Sequence, residues 1–133
     1  PSFASDITTT NDNSCVLKID YCGHSLLLCA DIEEKGIESA LLKPSEIRSN
    51  IIQIPHHGSL INNLEAFVIA VQPKYAFINS SDGIVSDRTI EVLRNHKVII
   101  LQPHKLGAVT FTVSKEGITY SAFCQSPLFQ VVF

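Results

Sequence analysis

The chain has 133 residues, of which 45% are hydrophobic and 17% charged, with a formal net charge of -3. Those values suit one domain with a real core and exclude a disordered chain. An acidic balance argues against a broad nucleic-acid surface held by charge alone.

No run approaches the roughly 18 uninterrupted apolar residues of a membrane helix, and no basic-then-apolar leader opens the sequence. A start at Pro1 and the lack of any Met point to a soluble piece of a longer protein. Residues 1–13 are rich in Ser, Thr, Asp and Asn and read as a loop. Cys15–Asp20 and Ser25–Ala30 read as two strands of a hairpin, with Gly23 in the turn and His24 facing water. A helix over Ile32–Leu42 follows, with Asp31 at its start as a cap and Pro44 as its stop.

Ile51–Ile54 is an apolar run of β-formers that Pro55 ends. The next helix begins at Asn62 or Asn63 and reaches Gln72, packing Leu64, Phe67, Val68 and Val71. Tyr75–Asn79 is a short buried strand, and Ser86 caps a third helix over Asp87–Asn95. Val98–Leu101 is a strand, and Ala108–Val113 with Ile118–Phe123 makes a closing hairpin. Residues 14–126 thus form one α/β domain with a mixed sheet, and 127–133 are an apolar tail.

The four cysteines, Cys15, Cys22, Cys29 and Cys124, include no C-x-x-C pair, so a zinc ribbon has no support. Chemistry is better sought where strands end. Asp31 and His56 each stand just past the carboxyl end of an apolar strand, and ligands gather at such ends in α/β proteins. If the two strands are parallel neighbours, a carboxylate and an imidazole converge there, which is half of a zinc or manganese site.

Four segments in order carry a family resemblance: Asn11-Asp12-Asn13-Ser14, Leu27 to Glu33, Ile54-Pro55-His56-His57-Gly58-Ser59, and Gly107-Ala108-Val109-Thr110-Phe111. Together they resemble metallo-β-lactamase-fold hydrolases, and most of all the C-terminal extracytoplasmic domain of the ComEC DNA-internalisation competence proteins. The resemblance implies the C-terminal half of an αββα sandwich, with helices on one side of the sheet. It implies a parent anchored in a bacterial inner membrane. That parent would be a zinc- or manganese-dependent phosphodiesterase or nuclease acting on single- or double-stranded DNA, with a metal-bound hydroxide as nucleophile.

By the same resemblance Asp31 bridges two metals and His56 is a ligand. His57 and Ser59 stand behind the metal or touch the substrate phosphate. The family's N-terminal His/Asp metal motif does not occur in this sequence. Its Thr-Gly before the bridging Asp is replaced by Cys29-Ala30, and its Gly-His-Pro before the third helix by Ser86-Asp87-Arg88. The chain alone is therefore expected to be inactive and to hold no metal tightly. The alternative is a non-catalytic binding or assembly module with a decayed site. A half-sandwich also leaves an apolar face, carrying Ile19, Leu26, Leu28, Ile52, Ile54 and Phe77 among others. That face is expected to meet the missing N-terminal half, the folded-back tail or a second copy.

Overall fold

The computed structural model describes residues 10–81 and 83–123, among which seven strands and five α-helices set the frame. A five-stranded sheet runs β1 (Leu17–Tyr21), β2 (His24–Leu28), β3 (Ile51–Gln53), β4 (Tyr75–Phe77), β5 (Ile99–Leu101), in that spatial order. β1 pairs antiparallel with β2, and β2 through β5 are parallel. Cys22 and Gly23 form the two-residue turn of the first hairpin, both at positive φ (51° and 80°), as a turn matched to the strands' twist requires.

Helices α1 (Glu34–Leu41), α2 (Pro44–Ile47), α3 (Leu64–Val71) and α4 (Asp87–Asn95) fill the crossovers. They share one core with Leu27, Ile52, Ile54, Ala76 and Ile78, so all four lie on the same face of the sheet. Phe67 of α3 is fully buried at its centre, beside Val68 and Val71. Burying an aromatic or aliphatic side chain of this kind stabilises the fold by about 1.5–3 kcal/mol. α4 starts where expected, because the Ser86 hydroxyl accepts from the Arg88 N–H at 3.2 Å.

The opposite face is covered in part by a second sheet, β6 (Ala108–Ser114) paired antiparallel with β7 (Gly117–Phe123), after the short helix α5 (Pro103–Leu106). Phe111 packs edge-on against Tyr75 at 5.8 Å and tilted against Phe77 at 6.2 Å. Tyr120 meets Tyr75 at 5.7 Å. Such pairs add about 0.5–1.5 kcal/mol beyond their area.

Several expectations are corrected. Pro44 does not merely stop a helix; it opens α2 at the first position, where its missing N–H costs nothing. Asp31 does not cap α1, which begins at Glu34 after a separate turn. The single apolar face divides in two: Ile52 and Ile54 look toward the helices, whereas Ile19, Leu26 and Phe77 line the other side. Alternate residues of a strand point to opposite faces, and where both faces are apolar the alternation is invisible in sequence. The N-terminal loop is described only from Thr10, and Cys124 and the tail 127–133 lie outside the described residues.

Cys29 is completely buried, and burial pushes its thiol from 9.0 up to about 12. A raised thiol pKa means the folded state keeps a proton that the unfolded state loses. Its contribution to stability is complete below pH 9 and is lost as pH rises from there toward 12. Thiol titration at pH 8 is expected to modify exposed Cys15 and to leave Cys29 unreacted until denaturant is added. Rapid modification of Cys29 in the native protein would contradict this packing.

Candidate functional site

Parallel pairing of β2 and β3, with Leu26 opposite Ile51 and Leu27 opposite Ile52, brings the exits of both strands side by side. The His56 N–H donates to the Ala30 carbonyl at 3.1 Å, tying the two exit turns together. Gln53, the last residue of β3, reinforces the tie: its Oε1 accepts from the N–H groups of Cys29 and Ala30, each at 3.2 Å. Both turns are bent into unusual backbone. Ala30 has φ 49°, and His56, His57 and Gly58 follow one another at 48°, 55° and 77°. Left-handed backbone costs a residue with a Cβ about 1–2 kcal/mol, and such strain is held only where the surroundings over-determine it.

The surroundings here are specific. Gly58 N–H donates to the Pro55 carbonyl, and Ser59 N–H to the His56 carbonyl, both at 3.0 Å. Ser86 N–H donates to the Gly58 carbonyl at 2.9 Å. Ser59 enters through its backbone, its carbonyl accepting from the Thr89 hydroxyl at 3.3 Å.

The consecutive left-handed residues send the two imidazoles to different carboxylates. His57 Nε2 lies 3.4 Å from Asp31 Oδ1, and His56 Nδ1 lies 3.5 Å from Glu33 Oε1. Asp31 is therefore brought to His57, not to His56. His57 Nδ1 also sits 2.6 Å from the Asn79 carbonyl oxygen, which accepts only. Nδ1 must carry the proton there, and Nε2 is the ring nitrogen that faces Asp31.

Neither Glu33 nor Asn79 stood out in the sequence. Glu33 enters there only as the last residue of the Leu27 to Glu33 segment, with no role of its own, and Asn79 acts through a main-chain atom that residue identity does not reveal. His24 lies not in solvent but half-buried at the start of β2. It lines a cleft of about 370 Å³ with Ile19, Tyr21, Leu26, Phe77 and Phe111, beneath β6.

The donor set can be tested against a metal. A 3.4 Å gap between an imidazole nitrogen and a carboxylate oxygen suits two ligands each roughly 2.0–2.2 Å from a shared ion. Among the described residues, however, no three His, Cys, Asp or Glu side chains come together in a ligand group. A catalytic zinc needs three protein ligands and a structural one four. These residues do not by themselves fit a complete site.

Gly58 is the tightest point of the turn. A Cβ there would stand 2.9 Å from Ile78 Cγ2 and 3.2 Å from Val85 Cγ1, at a φ that L side chains avoid. Gly58→Ala is expected to lower stability by about 1–3 kcal/mol in a denaturant titration. It should also shift the His56 and His57 imidazole resonances, and an unperturbed variant would show the turn to be adaptable.

No protein-family model matches the chain. It is similar to competence protein ComA of Neisseria gonorrhoeae, 30% identical over 113 residues that make up 81% of this chain and 16% of that protein. It is similar also to ComE operon protein 3 of Bacillus subtilis (strain 168), 24% identical over 124 residues, 90% of this chain and 16% of that protein. A shorter match, 32% identical over 72 residues, joins 53% of the chain to 10% of the Escherichia coli protein YcaI. The chain thus spans 16% or less of these relatives and resembles competence proteins over most of its own length.

Proposed function

We propose that this chain is part of a ComEC-type competence protein and contributes to a metal-dependent phosphodiesterase or nuclease acting on DNA during uptake. The supporting observation is the meeting of Asp31 and His57 at adjoining strand exits, within a segment similar to competence proteins. In this reading Asp31 and the His56–His57 pair supply part of a zinc or manganese site, and residues of the parent outside this chain complete it. Bound there, the metal would supply Lewis-acid activation of water and phosphate. His57, held through Nδ1, offers Nε2 beside Asp31, His56 is the second imidazole of the pair, and Ser59 borders the phosphate.

The domain would lie on the outer side of a bacterial inner membrane. Among the described residues no helix is long and apolar enough to cross a membrane, which is compatible with that placement. A second reading, a binding or assembly module with a decayed site, draws support from the lack of a three-ligand group among the described residues.

The longer parent protein separates the two. Metal analysis after dialysis, with hydrolysis of single- and double-stranded DNA, is expected to show bound zinc or manganese and activity. Asp31→Ala and His57→Ala should release metal and lower hydrolysis by at least roughly 100-fold, more than the loss of an outer partner. Loss of His57 should weaken metal binding more than loss of His56; the reverse order would assign the ligand role to His56. A parent without metal or hydrolysis would favour the module.

The open half of the sheet, where Leu17, Ile19 and Tyr21 are 50%, 44% and 63% exposed, is proposed as the seat of the missing half-domain. Without that half, two copies are expected to associate through it at micromolar concentration, since roughly 800 Å² per partner is a usual interface. Sedimentation showing a monomer throughout that range would count against this.

A further inference from the structure

The 3₁₀ turn Asn11–Asn13 lies against the start of α1, and its contacts there are specific. Asp12 Oδ1 accepts from the backbone N–H of Glu33 at 3.0 Å and of Gly36 at 2.9 Å. It caps the helix from a distant part of the chain, a role ordinarily taken by the residue at the helix's own start. Gly36 lets that oxygen come close, because a Cβ there would lie 3.2 Å from Asp12 Oδ1 and 2.7 Å from Ile32 Cβ.

Asn11 deals with the same glutamate's side chain. Its Nδ2 donates to Glu33 Oε1 at 2.8 Å, and that same oxygen lies 3.5 Å from His56 Nδ1. The Glu33 side chain is only 18% exposed, so water competes weakly for it. Consecutive residues of one turn thus fix Glu33 at both its backbone and its carboxylate.

We infer that the Asn11–Asp12 turn is a positioning element for His56, acting through Glu33 to hold the ring by Nδ1–H and leave Nε2 as its electron-pair donor. The inference deepens the site proposed above and rests on that reading for its purpose. A carboxylate oxygen can only accept, so the nitrogen facing it carries the hydrogen. His57 is set the same way by the Asn79 carbonyl. For His56 this is the form in which a second partner orients a ring whose other nitrogen engages a cation or takes a proton.

The test is ¹⁵N NMR of the histidine rings in this chain, at a pH where they are neutral. Wild type is expected to show the Nδ1–H signature at His56. Glu33→Ala should lose it in favour of the Nε2–H form that predominates in free histidine, and Glu33→Gln should keep it, because the amide oxygen still accepts. Asn11→Ala should give a mixture of the two forms; it leaves Glu33 in place and reads the same signal if Glu33→Ala proves unstable. An Nε2–H ring at His56 in wild type, or one unmoved by Glu33→Ala, overturns the inference. The readout needs no metal, so a metal-free parent would sink the proposed function while leaving the tautomer result standing.

Discussion

The hydrogen bond from His56 N–H to the Ala30 carbonyl is the constraint on which the candidate site depends. It exists because β2 and β3 are parallel neighbours in register, so their exits emerge at the same height. Gln53 then spans the seam with one side-chain oxygen on two N–H groups. The four candidate side chains at this end of the sheet hang from that seam: Asp31 and Glu33 on one turn, His56 and His57 on the other. The strained backbone persists because Gln53 and His56 tie the Ala30 turn, while Asn79, Ser86 and Thr89 hold the turn after β3.

The α/β class, the buried face of α3 and the succession of strands and helices were legible because each rests on a periodic pattern. Phe67, Val68 and Val71 mark the buried face of α3, and the Ser86 cap marks the start of α4. The hairpin at Gly23 was legible from its turn residue. What sequence could not reveal was the direction of side chains leaving an irregular turn. Proximity to the strand end favoured His56 as the partner of Asp31, yet three successive left-handed residues rotate His57 into that place. Similarly, nothing in Asn11 or Asp12 announces that they act on a helix more than twenty residues away, because non-local capping has no sequence period.

Energetically the two sides of the sheet differ in kind. The helix side is a continuous aliphatic core, in which each buried side chain adds a transfer term of about 1.5–3 kcal/mol. The other side is held by a few aromatic rings, Tyr75, Phe77, Phe111 and Tyr120, beneath a two-stranded ribbon. A two-stranded ribbon is marginal by itself, so its order depends on those rings. The Tyr75 hydroxyl donating to the Ile118 carbonyl at 3.4 Å adds a polar anchor at the same contact.

The spatial order of the sheet, one through five without a reversal, carries a further consequence. Right-handed crossovers that always advance in one direction must all fall on the same side. A doubly wound sheet reverses direction once, and the helices splaying apart at that reversal open a ready crevice for ligands. This chain has no such reversal. Any hollow at its strand exits must be carved by the connecting turns, which fits the gathering there of Ala30, His56 and His57, three of the six non-glycine left-handed residues among the described ones.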